Sequence, residues 1–322
     1  MSSINTALFL SEVERYDWRN RQADSRGRLL ASSPFGQRED RTPSFSVIID
    51  PDSDAFGCWT DRGAPDPMWQ RGGPVKLYAF LRNITVDEAR EILHEGADAN
   101  APPELRVKLQ PPKPQAQRRP IDVTPYMTCE SVPYLTGRGI TPIIQRLYRC
   151  GHDSARNAVV MPWAGPDGAV LNAKWRATWG KAFWYARSGA PVRSMIYGID
   201  IAYKRGIERA TLAEAEIDAM SSGVAGTFGL AVGGSEFTDL KAELLRKSTI
   251  SELILASDND AAGEKLRAEI ERKMRGHVRL RALRLPDYAK DLNDVLAREG
   301  AAGLRDVIAS AAPINSFKIF LR

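Results

Sequence analysis

Glu252-Leu253-Ile254-Leu255-Ala256-Ser257-Asp258-Asn259-Asp260-Ala261-Ala262-Gly263 is the stretch that decides the fold. Its first five residues make a short, bounded, mostly apolar run, the pattern of a parallel strand covered on both faces. Over 262–274 apolar residues recur at helical spacing. Asp258 and Asp260 therefore fall on a strand-to-helix turn at the carboxyl end of a strand, where open α/β sheets bind their ligands. In extended backbone, residues two apart project to the same side, so the two carboxylates can share one cation.

Two further acidic stretches follow strand-like runs. Ala210-Thr211-Leu212-Ala213 leads into Glu214-Ala215-Glu216-Ile217-Asp218, and 278–285 leads towards Lys290-Asp291-Leu292-Asn293-Asp294. A helix beginning at Glu214 would set Asp218 one turn away on the same face. Carboxylates about 4 Å apart repel by about 4 kcal/mol at an effective dielectric near 20. A cluster of Glu214, Asp258 and Asp260 therefore needs a cation or shifted proton affinities. All-oxygen donors suit magnesium or manganese better than zinc. A single Asp-x-Asp is more often a helix cap; three acidic strand ends in one α/β unit argue for a site.

Taken together, Glu214-x-x-x-Asp218, Asp258-x-Asp260 and Lys290-Asp291-x-Asn293-Asp294 resemble the TOPRIM domain of bacterial-type primases, type I and II topoisomerases and some nucleases. Glu214-x-Glu216-Ile217-Asp218-Ala219 is most similar to the short primases joined to helicases in phages and in mitochondrial Twinkle. Ala215 stands where the family usually has glycine, a departure of one methyl. The resemblance implies an α/β fold with a central, mainly parallel sheet over 207–311. It implies Glu214, Asp258 and Asp260 as catalytic residues, with Asp291 as a further metal ligand and Asp218 in support.

The 322 residues leave room for two or three domains, and 43% apolar content supplies a core for each. A net charge of +5, despite the acidic motifs, favours a polyanionic partner. Three scattered cysteines, Cys58, Cys129 and Cys150, form no Cys-x-x-Cys pair and fit a reduced, cytoplasmic protein. No apolar run reaches the ~20 residues that span a bilayer, and no signal-peptide pattern opens the chain.

Residues 1–100 read as a small β-rich domain with a helix over 7–17 and a broken helix over 75–93. Thr85 restarts the latter as an N-cap, with Glu88 three residues on. Pro34-Phe35, Thr42-Pro43-Ser44-Phe45-Ser46-Val47 (after Arg41) and Phe56-x-Cys58-Trp59 are similar to the zinc-binding domain that opens bacterial-type primases. Three of its ligand places hold Ser33, Gly36 and Asp61, and only Cys58 remains. One thiolate cannot hold a structural zinc, which takes four N or S ligands. A zinc-free relic is expected, with Phe35, Phe45, Phe56 and Trp59 in its core. Trp18, Trp59 and Trp69 either belong to that core or, if exposed, stack on bases. Residues 101–120, rich in proline with Lys113, Arg118 and Arg119, read as an extended basic linker.

Residues 121–206 read as an α+β subdomain, with helices from Pro133 and Thr141 and a hairpin turning at Gly165-Pro166-Asp167-Gly168. Its second arm carries Lys174 and Arg176 on one face, and Lys181 follows among Trp179, Phe183, Trp184 and Tyr185, a mixture suited to phosphates and bases. Gly137-Arg138-Gly139-Ile140 and Lys174-x-Arg176 are similar to the part that precedes the TOPRIM unit in phage enzymes. That implies that Lys174, Arg176 and Lys181 bind nucleotide or template. Gly233 and Gly234 end a strand over 226–232 and leave backbone N–H groups open to a phosphate; a plain turn would use the same glycines. Helices over 292–298 and 304–311 close the domain, and 312–322 is a tail.

The expected activity is that of a DNA primase making short RNA primers on single-stranded DNA from ribonucleoside triphosphates, with Mg2+ or Mn2+ and no zinc. Lys290 would touch the nucleotide, and Glu214 would either bind metal or take the 3'-hydroxyl proton. No Gly-x-x-x-x-Gly-Lys-Ser/Thr occurs, so a separate replicative helicase is the expected partner. The alternatives are a metal-dependent nuclease on the same carboxylates and a non-catalytic single-stranded-DNA-binding factor.

Overall fold

The computed structural model describes residues 4–24, 27–36, 42–95, 120–127, 130–234, 236–258 and 260–314. The predicted linker except Pro120, Arg41, Cys129 and the tail beyond Ile314 lie outside the described residues. Two compact units emerge: Met1–Arg119 with Ala155–Ala158 and Trp175–Ser188, and Pro120–Ser154 with Val159–Lys174 and Gly189–Arg322. The stretch 121–206 thus contributes to both.

The first unit opens with α1 (Thr6–Arg15), whose start is capped by the Asn5 side chain accepting the Leu8 N–H at 2.9 Å. Five short strands follow: β1 (Gln22–Asp24), β2 (Arg28–Ala31), β3 (Phe45–Ile48), β4 (Trp59–Asp61) and β5 (Arg71–Gly72), paired antiparallel in sequence order. Along β3, Phe45 and Val47 are buried and alternate with half-buried Ser46 and Ile48, as the period of two requires. α2 (Pro74–Arg82) ends at Asn83, whose φ of 54° is the left-handed turn that stops a helix. α3 (Val86–Glu95) restarts through the expected reciprocal cap: Glu88 N–H to Thr85 Oγ1 at 3.1 Å, Thr85 N–H to Glu88 Oε2 at 3.0 Å.

Phe35, Phe45 and Trp59 fill the core as expected, and Phe56 packs against it half-buried. Trp18 and Trp69 are buried there as well, Trp18 stacked on Phe45 with centroids 5.1 Å apart. These three indoles are core, and base stacking by them is excluded. Ser33, Gly36 and Asp61, three of the four places compared above with zinc ligands, are knotted by hydrogen bonds. The Ser33 hydroxyl accepts the N–H groups of Phe35 (3.2 Å) and Gly36 (3.0 Å) and donates to Asp61 Oδ2. Asp61, only 1% exposed, also accepts the Gly63 N–H at 2.8 Å. Cys58 is exposed.

In chain order the rest comprises α4 (Pro133–Gly137), α5 (Pro142–Leu147), β6 (Gly151–Asp153), β7 (Ala158–Ala164), β8 (Val170–Ala177), β9 (Phe183–Tyr185), α6 (Ile199–Arg205), β10 (Arg209–Ala213), α7 (Glu216–Val224), β11 (Gly229–Ala231), α8 (Asp239–Arg246), β12 (Glu252–Ala256), α9 (Ala261–Met274), β13 (Arg279–Ala282), α10 (Leu292–Ala309) and β14 (Ala312–Pro313). β9 and the last residues of β8 cluster with the first unit. The β7–β8 turn closes through Gly168 N–H to the Gly165 carbonyl at 2.8 Å.

The second unit is built on a five-stranded sheet of order β11-β10-β12-β13-β14, in which only β14 runs antiparallel. From β10 the chain crosses by α7 to β11 on one side; from β12 it crosses by α9 to β13 on the other. The carboxyl ends of β10 and β12 therefore flank the switch point where such sheets open a crevice. Leu253, Ile254 and Leu255 of β12 are fully buried, so this strand is covered on both faces. α10 is broken at Gly300 (φ 71°, ψ −173°), which divides it much as the two expected helices are divided.

Asp61→Ala should cost about 1–3 kcal/mol of stability, because it removes the buried carboxylate that accepts from the half-buried Ser33 hydroxyl and from the Gly63 N–H. Exposed Cys58→Ser should stay within about 0.5 kcal/mol of wild type. Urea denaturation followed by tryptophan fluorescence measures both.

Candidate active site

Each strand end brings one acid to the switch point. Glu214 follows β10 directly, and its Oε1 accepts the Asp258 N–H at 3.2 Å, tying the ends of β10 and β12 together. Asp258 leaves β12. Asp260, the N-cap of α9, turns its Oδ1 to the N–H groups of Ala262 (3.0 Å) and Gly263 (2.9 Å) and leaves Oδ2 outward. Helix start and strand end are pressed close together: a Cβ on Gly263 would lie 2.2 Å from the Asp258 carbonyl oxygen.

The third acidic stretch arrives on α10. β13 stops at Ala282, short of the expected 285, so a loop carries the chain to Asp291, the N-cap of α10. Asp291 accepts the Asp294 N–H at 2.8 Å, and Asp294 accepts the Lys290 N–H at 3.0 Å. The Lys290 ammonium reaches back to Asp258 Oδ2 (3.8 Å) and Asp260 Oδ2 (4.0 Å). Asp218, buried on the first turn of α7, accepts the Asn293 N–H at 3.0 Å.

Packing so many acids raises their proton affinities. Burial, reinforced by the charge of Glu214 and opposed by Lys290, pushes Asp258 up to about 7. Burial also lifts Glu214, with Asp260 adding to the shift and the Asp258 N–H and Lys290 working against it. Asp218 is held well above the usual carboxylate range by burial and by Asp291 and Asp258. Burial raises Asp291; the Asp294 N–H works against the shift, the Asp294 charge adds to it, and Arg138 and Lys290 oppose it. The donors are hard oxygens that a divalent cation would relieve. Among the described residues no three His, Cys, Asp or Glu side chains stand close enough to hold one ion by themselves; pairs of these acids, completed by water or phosphate oxygens, fit magnesium, which keeps several such ligands.

The basic and glycine expectations fare differently. Lys174 is 3% exposed, and its ammonium lies 3.1 Å from Glu216 Oε2, whose other oxygen accepts the Trp163 indole N–H at 3.2 Å. Its charge is engaged inside the second unit. Arg176 and Lys181 belong to the first unit. The Gly233 N–H is not open to a phosphate, because it donates to the Glu214 carbonyl at 2.9 Å. Glycine is needed there by its φ of 64° and by Trp163, which a Cβ would meet at 2.2 Å. Gly234 has a φ of 91°. Glu216, Trp163, Asn293, Arg138 and Gly263 support the site but are not among the expected site residues. Glu216, Asn293 and Arg138 lie inside the quoted motifs and Gly263 stands three residues into a helix behind an Asp cap, whereas Trp163 carries no local signal.

A Toprim-like family model matches residues 211–296, a span that takes in all three acidic motifs. Residues 211–296 are a Toprim-like domain. Among solved structures, the primase fragment of the bacteriophage T7 primase-helicase matches with a TM-score of 0.50 and 19% identity, over 61% of this chain and 81% of that one. The DnaG catalytic core matches with a TM-score of 0.50 and 18% identity, over 59% and 77%. The zinc-binding and RNA polymerase domains of Aquifex aeolicus primase match with a TM-score of 0.49 and 18% identity, over 95% and 83%. The T7 and DnaG likenesses establish a shared fold. No curated protein matches the chain in sequence. Among the described residues no helix is long and apolar enough to cross a membrane.

Within the Toprim-like domain, Asp258 keeps its proton to about pH 7 when folded and releases it near pH 4 when unfolded. The folded state is the better proton binder between those values, so stability of the metal-free protein should fall as pH rises from about 4 to about 7. Asp258→Asn should flatten that fall. Urea midpoints across the range, in EDTA, provide the measurement; an equally steep slope in the variant would contradict the assignment.

Proposed function

We propose that the chain is a DNA primase that joins ribonucleotides into short RNA primers on a single-stranded DNA template. The observation that carries this reading is the meeting of Glu214, Asp258 and Asp260 at the switch point of a Toprim-like domain. The fold shared with the T7 primase fragment and the DnaG catalytic core supports polymerisation over the nuclease alternative.

In this reading pairs drawn from Asp258, Asp260, Asp291 and Glu214 would hold Mg2+ or Mn2+, which would supply charge neutralisation at the transferring phosphate and leaving pyrophosphate. Glu214, whose proton affinity is raised by burial, is suited to receive the 3'-hydroxyl proton on a carboxylate oxygen. Lys290, exposed and already between Asp258 and Asp260, turns its ammonium to the triphosphate. Asp218 holds the start of α10 through the Asn293 N–H. Arg176, Lys181 and the Gly234 N–H are assigned to template or nucleotide phosphates. Lys174, committed to Glu216, acts from inside the unit by keeping α7 and β8 in register.

The first unit is assigned no zinc: the Ser33–Asp61 hydrogen bonds tie the residues that the metal would otherwise tie. A replicative helicase, supplied as a separate protein in the cytoplasm, completes the proposed assignment.

Labelled ribonucleotides, single-stranded templates and Mg2+ or Mn2+ test the activity. Synthesis is expected, and Asp260→Ala should abolish it while template retention stays within about threefold; shortening of the template would favour a nuclease. Template binding should weaken with salt at a log-log slope of roughly −0.7 per phosphate contacted. Elemental analysis of the purified protein should find no stoichiometric zinc.

A further inference from the structure

Asn293, the second residue of α10, touches no reacting group, yet each polar atom of its side chain is engaged. Its Nδ2 donates to the Arg138 carbonyl (3.0 Å) and to the Ser221 hydroxyl (3.0 Å), while its Oδ1 accepts from Arg138 Nη1 (3.1 Å). Ser221 spends its own proton on the Ile217 carbonyl at 2.9 Å, so it can only accept from Asn293. That fixes which way the amide faces and requires asparagine rather than aspartate.

The partners are themselves anchored. Arg138 Nε donates to the Tyr134 hydroxyl at 3.0 Å, and the guanidinium lies 5.2 Å from that ring's centroid. Gly139, with a φ of 80°, lets its turn pack on α10: a Cβ there would stand 3.3 Å from Leu296. Asn293 is 5% exposed, so breaking these bonds would strand buried polar groups. Two residues earlier Asp291 caps the same helix, and Lys290 is tied to it through Asp294. Any shift of the start of α10 moves Asp291 and Lys290 together.

We infer that Asn293 is a positioning residue for nucleotidyl transfer: its amide clamps the start of α10 to the 134–139 turn and to α7, and so sets where Asp291 and Lys290 meet Glu214, Asp258 and Asp260. The inference rests on the primase reading for the chemistry and on the side-chain network for the geometry.

Manganese binding followed by electron paramagnetic resonance on full-length protein, without nucleotide or template, separates these. Groups that orient metal ligands typically contribute 10- to 100-fold to metal affinity or activity, so Asn293→Ala should weaken Mn2+ binding roughly tenfold and lower kcat for primer synthesis. Template retention should stay within about twofold. Asn293→Asp, which faces a carboxylate oxygen to the Arg138 carbonyl, should be at least as impaired as the alanine variant. Ser221→Ala, which removes one of the three bonds, should be impaired less than either and decides the question if Asn293→Ala fails to fold. Wild-type manganese affinity in a folded Asn293→Ala, or in Ser221→Ala where that variant must decide, would overturn the inference. Weakened manganese binding in a chain that makes no primers would overturn the primase reading and leave the clamp standing.

Discussion

The second unit is organised around holding like charges together. Glu214, Asp258, Asp218 and Asp291 are each pushed towards the protonated form by burial and by neighbouring carboxylates, and the fold meets the cost with local dipoles. Glu214 takes one backbone N–H, Asp260 takes two at the start of α9, and Asp291 takes one at the start of α10. Helix starts carry partial positive charge, so acids placed as caps are partly neutralised before any cation arrives. Lys290 adds positive charge from an exposed position, and Arg138 does so at Asp291. A site arranged this way is poised for a hard cation and poorly suited to being without one.

The sheet makes the arrangement possible. Because the crossovers from β10 and β12 leave in opposite directions, their carboxyl ends flank the switch point of the sheet. The close approach of backbones at Gly263 presses the start of α9 against the end of β12, and at Gly233 it is the Trp163 ring that comes close. Trp163 ties the two halves of this base together, filling the space over Gly233 while its indole N–H meets Glu216. The buried pair of Glu216 with Lys174 joins α7 to β8 in the same place.

Much of this was legible in the amino-acid order. β12 matches its expected span, the Thr85–Glu88 cap forms as its spacing implies, and the three acidic stretches fall within the segment that matches the Toprim-like family. These features are local: a periodicity, a cap and a motif each report on a few neighbouring residues. What escaped notice is long-range. Nothing near Lys174 in the chain announces Glu216, 42 positions on, and nothing near Asn293 announces Arg138, 155 positions back. The open N–H expected of Gly233 failed for the same reason, since its acceptor is the carbonyl of Glu214, just past the end of β10. The indoles of Trp18, Trp59 and Trp69 were ambiguous because aromatic residues serve a small core and a base-stacking surface equally well, and only their burial separates the two.

The division of the chain into units has a consequence for how it can be cut. The N-terminal unit is discontinuous: it recruits Trp175–Ser188 from beyond the linker, and Phe183 from that segment stacks on Phe80 with centroids 5.3 Å apart. Trimming the first hundred residues would therefore not release a clean fragment but would strip the aromatic lining from β9 and leave a sticky, apolar flank. Conversely, a single proteolytic nick between Glu95 and Pro120 would leave both fragments holding part of the same core.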